Sequence, residues 1–191
     1  METDRIKWNQ RFNSATTFLG SNPSPFLFRE LDRIKALSPG IRALDIACGE
    51  GRNSIFLAQS GFRVTGLDIS DVGIAKGKRR AEELGLDIDF HQVDLEGYQL
   101  EGCYDLVLNF NFLLRDLIPQ EIAVLAPGGL LLFDTILAAP HLLAEHNPAY
   151  LLQRGELVRL FGNLDGEIIW SEESDEGDMP TARLLFRKAG N

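Results

Sequence analysis

Three aspartates and one glycine-rich turn carry the chemistry that can be read from this chain. An apolar run ends in Asp45-Ile46-Ala47-Cys48-Gly49-Glu50-Gly51, and a helical pattern follows. Asp68 closes the next apolar run, and Asp94, followed by Leu95, closes the one after that. A carboxylate inside a strand buried on both faces costs several kcal/mol unless it is paired or hydrogen-bonded, so Asp45 must have a partner. One such role is to cap the amides of its own loop. Asp68 follows Gly51 at about the spacing where a strand-end carboxylate accepts both hydroxyls of a ribose. A carboxylate at Asp94 can accept from an adenine amino group. Each aspartate alone reads as a turn residue, but three on consecutive strand ends form a constellation.

The turn itself argues against a phosphate. Gly49 and Gly51 fit the first two glycines of G-x-G-x-x-G, but Ser54 stands at the third. Glu50 would face a pyrophosphate at the helix N-terminus, a position that favours anions as ligands and not as neighbours of one. A nicotinamide-dependent reductase is therefore disfavoured.

The elements that position these residues alternate. Strands are expected at 42–47, 62–68, 88–94, 104–109 and 129–137, the last opened by a Pro127-Gly128-Gly129 turn. Helices are expected at 53–60, at 71–84 behind the N-cap Ser70, at 116–125 and at 155–161. Ser24 and Pro25 form an N-cap and first position for a helix over 26–37. Strand–helix alternation predicts an α/β, doubly wound, mostly parallel sheet with helices on both faces. Two last strands, 167–172 and 181–187, flank an acidic loop reaching Asp178 and should pair as an antiparallel hairpin.

The chain has 191 residues, enough for one compact unit with a real core. Its formal charge of −9 disfavours a nucleic-acid footprint, which needs clustered Lys and Arg. The run Lys76, Lys78, Arg79 and Arg80 reads as a solvated helix face. Cys48 and Cys103 are far apart and suggest neither a disulfide framework nor a metal site. The polar start METDRIKWNQRF predicts no leader, and no apolar run is long enough to span a membrane, so a cytoplasmic protein is expected. Nothing in the sequence sets an oligomeric state.

With these residues in place, the sequence resembles the class I S-adenosylmethionine-dependent methyltransferases. The first motif of that family stands here as residues 45–51, with Ala47 where the family often has glycine. Tyr104-Asp105-Leu106-Val107-Leu108-Asn109 resembles its fourth strand, and Leu125-Ala126-Pro127-Gly128-Gly129 its L-x-P-G-G turn. The resemblance implies a Rossmann-like sheet of order 3-2-1-4-5-7-6 with strand 7 antiparallel. It implies a binding domain over 39–191 and a helical lid over 1–38. The cofactor-binding residues it implies are Asp45, Ala47, Cys48, Gly49, Gly51, Arg52, Asp68, Ile69, Asp94, Leu95 and Asn109. Among these, Asp45 would engage the cofactor's ammonium, directly or through water, and Arg52 would either grip its carboxylate or face water. Glu50 suits a cofactor that is cationic and carries no phosphate. More narrowly, C-G-E-G-R-N-S-x-x-L-A resembles a bacterial group related to tellurite-resistance and thiopurine-type S-methyltransferases.

Methyl transfer is an in-line displacement in which alignment supplies most of the catalysis, and a base is needed only for a protonated acceptor. A thiolate or a reduced chalcogen species would need none. The expected acceptor is a small molecule, with a thiol or chalcogen oxyanion as the named class. A protein that binds the cofactor without transferring its methyl group is the alternative. Candidates for direct roles are His141, with His146 nearby, Asn111 and Arg115, while His91 reads as structural. Phe110 is expected beside the methyl channel or in the core. Trp8, Arg11 and Phe12 share one helical face and are expected to close over the cofactor or to pack on the sheet edge.

Overall fold

The computed structural model describes residues 2–13, 16–144, 146–177 and 179–190, so Asp178 of the acidic loop lies outside the described residues. In chain order the elements are α1 (Glu2–Phe12), α2 (Pro25–Leu37), β1 (Arg42–Ile46), α3 (Arg52–Gln59), β2 (Arg63–Asp68), α4 (Asp71–Glu83), β3 (Ile88–Gln92), β4 (Tyr104–Phe110), α5 (Ile118–Ala123), β5 (Leu125–Ile136), α6 (Glu156–Phe161), β6 (Gly166–Ser174) and β7 (Thr181–Lys188). Seven strands form one sheet in the order β3-β2-β1-β4-β5-β7-β6. The five strands β1 to β5 pair in parallel, and β7 pairs antiparallel with both β5 and β6. The expected sheet order and terminal hairpin are both present.

The central strands are apolar on both faces because helices cover both. Leu44, Ile46, Val107, Leu131 and Phe133 pack on the side of α5 and α6. Ala43, Leu106, Leu108, Leu130 and Leu132 pack on the side of α2 and α3. Within the segment 1–38, α2 belongs to this second layer: Phe26, Leu27 and Ile34 are buried in it. By contrast, α1 packs on α4. Ser70 caps α4 as expected, its Oγ accepting from Gly73 N at 3.0 Å. Ser24 makes no side-chain cap for α2. Its own N–H donates to Asn53 Oδ1 at 2.9 Å, tying the start of α2 to α3.

Two of the boundaries that differ from the sequence reading bear on the site. Pro127-Gly128-Gly129 does not precede β5 but lies within it. Gly128 has φ +74, and the β4–β5 register shifts between Tyr104↔Leu125 and Leu106↔Leu130. The motif is a bulge that bends a strand already paired, a place where proline and glycine are tolerated. The other difference is β3, which stops at Gln92 and leaves Asp94 beyond the ladder.

Ala47 leaves β1 with φ +52, in the left-handed region. A residue with a Cβ is held there at a cost of about 1 kcal/mol. We expect Ala47→Gly to raise stability by about 1 kcal/mol, or ~3 °C in Tm, with the fold unchanged. A lower Tm by calorimetry would show that alanine carries no strain here.

Candidate functional site

The carboxyl ends of β1, β2 and β4 meet at the switch point between β1 and β4, where ligands of doubly wound sheets bind. The loop after β1 is built for close approach. Gly49 and Gly51 have φ +58 and +76. A Cβ on Gly51 would stand 2.6 Å from the Phe90 ring, and one on Gly49 would stand 3.1 Å from the Phe12 ring. Conformation and space both require glycine at these two positions. Asp45 is 1% exposed, and its Oδ2 accepts from Ser54 Oγ at 2.5 Å. Burial pushes its carboxyl up to about 7, with the Ser54 bond opposing and the Asp68 charge adding.

Asp68 lies next to the loop and is 5% exposed. Its Oδ2 accepts from Gly49 N at 2.7 Å and its Oδ1 from Ser70 N at 2.8 Å. Burial raises its pKa against these amide bonds. One carboxylate thus holds the turn after β1 and the turn after β2 together. A carboxylate offers about four lone-pair sites, so two hydroxyls can still be accepted. The adjacent Ile69 is half-buried, and its carbonyl accepts from Gln92 Nε2 at 3.2 Å. Asp94 is exposed and accepts from Glu96 N at 3.2 Å, while Leu95 is buried. The Cys48 thiol is raised well above its ordinary value by burial, which keeps it neutral.

At the end of β4 the side chains turn away from the cleft. Asn109 is fully buried and donates to Glu121 Oε1 at 2.7 Å on the α5 side. Phe110 is buried on the other side, stacked on Phe26 at 5.9 Å, so its core alternative is the one the geometry follows. Asn111 is exposed at φ +56, and its N–H donates to Asp134 O at 2.7 Å. Arg115 is occupied structurally: it donates to Glu156 Oε1 at 2.6 Å, Ala149 O at 2.7 Å and Leu151 O at 3.1 Å. It fixes the chain before α6 and is not a free group for chemistry. His141 is exposed on a turn beyond β5, and His146 Nδ1 lies 3.3 Å from Leu142 O. His91 is exposed on β3, 2.9 Å from Asp89 Oδ2.

Residues of α1, together with Phe18, pack against the glycine turn and the start of α4. Phe12 is 5% exposed and stacks on Trp8 at 5.6 Å, with Phe18 edge-on at 6.0 Å. The Arg11 guanidinium sits 4.9 Å from the Trp8 ring centre. Asn9 bridges the start of α4, accepting from Ser70 Oγ at 2.6 Å and donating to Asp71 Oδ1 at 2.7 Å. Glu50 is held in place: its Oε2 accepts from Phe18 N at 2.6 Å and its Oε1 from Lys76 Nζ at 2.9 Å. One sequence expectation is corrected here. The basic run is not merely a solvated face, since Lys76 is mostly covered and Arg80 donates to Ser21 O at 3.1 Å. Arg52 donates to Leu19 O at 3.1 Å, a role that neither sequence reading foresaw.

The sequence reading passed over Asp134, a buried carboxylate on β5 directly across the ladder from Arg183. Its Oδ2 lies 3.4 Å from Arg183 Nε, and burial pushes its carboxyl up to about 6 against the Arg183 charge. The signal that singled out Asp45, an acid within an apolar strand, applies equally to Asp134. Among the described residues, no group of three His, Cys, Asp or Glu is placed to hold a metal. None of the described helices is long and apolar enough to cross a membrane.

Residues 43–129 match the family model of a methyltransferase domain. The ubiquinone biosynthesis O-methyltransferase of Nitrosococcus oceani is 30% identical over 118 residues, covering 58% of this chain and 50% of that protein. The probable S-adenosyl-L-methionine-dependent methyltransferase TehB of Haemophilus influenzae is 33% identical over 95 residues, covering 48% of this chain and 33% of that one. Its crystal structure superimposes with a TM-score of 0.70 at 24% identity, covering 84% of this chain and 62% of that chain. The N-methyltransferase NodS of Bradyrhizobium japonicum, solved with S-adenosyl-L-homocysteine, gives 0.74 at 18% identity over 96% of this chain and 97% of that one. The chain spans about half the length or less of these curated relatives. In fold and in the matched domain the chain is similar to class I S-adenosylmethionine-dependent methyltransferases, TehB among them.

Proposed function

We propose that this protein binds S-adenosylmethionine and transfers its methyl group to a small molecule. The observation that carries this reading is Asp68, a buried carboxylate bonded to Gly49 N and Ser70 N with lone pairs left for a ribose. The residues present suit a phosphate-free cationic cofactor, because Asp45 and Asp68 bring two buried carboxylates to a loop of left-handed glycines. S-adenosylmethionine supplies an electrophilic methyl group on a sulfonium. Asp45 would face the ammonium end, Asp68 the ribose and Asp94 the adenine. The turn 47–51 would let the backbone approach, and the segment from Trp8 to Phe18 would exclude water.

A thiol or a chalcogen oxyanion is the acceptor class that fits this site best. A chalcogen oxyanion arrives ionised, and a thiol reacts as its thiolate, a few per cent of the total at neutral pH, so neither needs a strong base in the site. Arg115 is held by Glu156, Ala149 O and Leu151 O, and a guanidinium is no base. Titration with S-adenosylhomocysteine tests the binding, and absence of heat at millimolar concentration would overturn it. A turnover screen over thiols, phenols, amines and chalcogen oxyanions tests the transfer. Binding without turnover on any of them would favour a cofactor-binding protein.

Asp45 adds a prediction. Its folded pKa is raised, so it carries a proton at pH 6 where the unfolded chain does not. That protonation lowers stability as pH rises from about 4 to about 7, with no further loss above. A cation beside Asp45 favours the ionised form. Binding of S-adenosylmethionine at pH 6 should therefore release a proton, read as a buffer-dependent enthalpy in calorimetry. A buffer-independent enthalpy would place the ammonium elsewhere.

A further inference from the structure

Asn109 and Glu121 form a polar pair sealed in the larger apolar cluster beneath the end of β4. Both residues are 0% exposed. Asn109 Nδ2 donates to Glu121 Oε1 at 2.7 Å. The other oxygen of each, Asn109 Oδ1 and Glu121 Oε2, is buried without a hydrogen-bond partner. With Glu121 ionised both orphans are acceptors, so the pair cannot satisfy itself by any rotation. An ionised carboxylate here would also hold one hydrogen bond and no cation, the costliest state for a buried charge. A single proton would resolve both defects. The acid O–H would donate to the carboxamide oxygen while the carboxamide N–H donates, as observed, to the acid's other oxygen.

We propose that Glu121 stands as a neutral carboxylic acid at neutral pH, doubly hydrogen-bonded to Asn109, and is the positioning residue for the end of β4. Burial pushes its carboxyl up to about 8, opposed only by the Asn109 bond. The elements around the pair bring it little charge. Ile46 of β1 is the ladder partner of Asn109, and Phe133 of β5 pairs on the other side. Tyr98 and Tyr104 are the phenols among the partly buried hydrophobics packed on this cluster, and no charged neighbour contributes to the shift of Glu121. Lys188 reaches α5 at its far end, donating to Ala123 O and Leu125 O. Strand alternation puts Asp45 and Asp134 on the opposite face of the sheet.

The location gives the pair a role. Ile46 is the last residue of β1 before the glycine loop, and Asn109 is its neighbour across the ladder. Phe110 and Asn111 follow directly, the latter in a left-handed conformation. A pair that holds Asn109 therefore sets where the end of β4 stands relative to the turn 47–51. The effect on cofactor affinity rests on the function proposed above, whereas the protonation state does not.

Glu121→Gln is the deciding variant, because glutamine copies the protonated acid and cannot ionise. The raised pKa means that the unfolded chain ionises Glu121 above pH 4.5 while the folded chain holds the proton until about pH 8. Wild-type stability is then lost across that window and levels off above it. We expect equal Tm values at pH 5, and a variant more stable by at least ~5 °C at pH 8. The infrared difference spectrum at pH 7 should show a protonated-carboxyl band that the variant lacks. Affinity for S-adenosylhomocysteine should match within about twofold at pH 7 and fall about tenfold above pH 8.5 in the wild type alone. A wild type that gains stability over the variant as pH rises, or that lacks the band, would overturn the proposal. If neither protein binds S-adenosylhomocysteine, the cofactor reading fails while the Tm and infrared measurements still decide the protonation.

Discussion

Asp68→Ala is expected to lower affinity for S-adenosylhomocysteine by more than 100-fold. Two losses combine. The carboxylate's bonds to the ribose hydroxyls are charge-assisted, a kind worth about 1.5–3 kcal/mol each. Its bonds to Gly49 N and Ser70 N also vanish, leaving buried donors that cost about 1–3 kcal/mol each when unsatisfied. A drop in Tm is therefore expected as well. The ribose contribution is isolated by repeating the titration with an analogue lacking both ribose hydroxyls. That analogue should bind the wild type far more weakly than the parent does, and should bind the variant about equally. Equal penalties in both proteins would show that Asp68 serves the two turns and never touches a ribose.

Phe12→Ala is expected to release the N-terminal segment without unfolding the sheet. Loss of a well-buried phenylalanine ring typically costs about 3–5 kcal/mol. Here the ring contacts Trp8, Phe18 and the backbone at Gly49 and Gly73, and most of the sheet core lies elsewhere. The cost should fall on α1 alone, as local opening. Amide exchange in residues 3–12 should accelerate by about 100-fold or more, with Tm within a few degrees of the wild type. If the segment covers bound cofactor, S-adenosylhomocysteine should also dissociate about tenfold faster. An unchanged dissociation rate would make α1 a helix that packs on α4 and covers nothing.

The architecture was legible because its causes are local. Double-faced apolar runs such as Leu106–Leu108 can only be central strands, and Ser70 announces α4 through its own hydroxyl. The carboxylates were legible for a related reason: a buried acid in an apolar run is costly and stands out. The same rule applies to Asp134, an acid in an equally apolar strand. What stayed hidden depends on partners distant in sequence. Nothing near Glu50 says that its carboxylate receives Phe18 N, and nothing near Asn9 points to Ser70. Phe110 was ambiguous because a strand-end ring packs equally well into a channel or a core, and only the position of Phe26 decides. The bulge in β5 was missed because proline and glycine signal turns more often than bends within a paired strand.

Glu50 is part of the turn that would face the ligand, and it is also the residue that holds Phe18 and Lys76. If that turn meets a ligand, whatever fixes its conformation would also favour the packed position of Phe12 and Phe18, through the Phe12 ring against Gly49 and the Glu50 carboxylate on Phe18 N. Linkage is symmetrical: order imposed on these residues would favour the ligand by the same free energy. Binding at the turn and packing of the N-terminal residues would then be two readings of one equilibrium, with its fulcrum between two glycines.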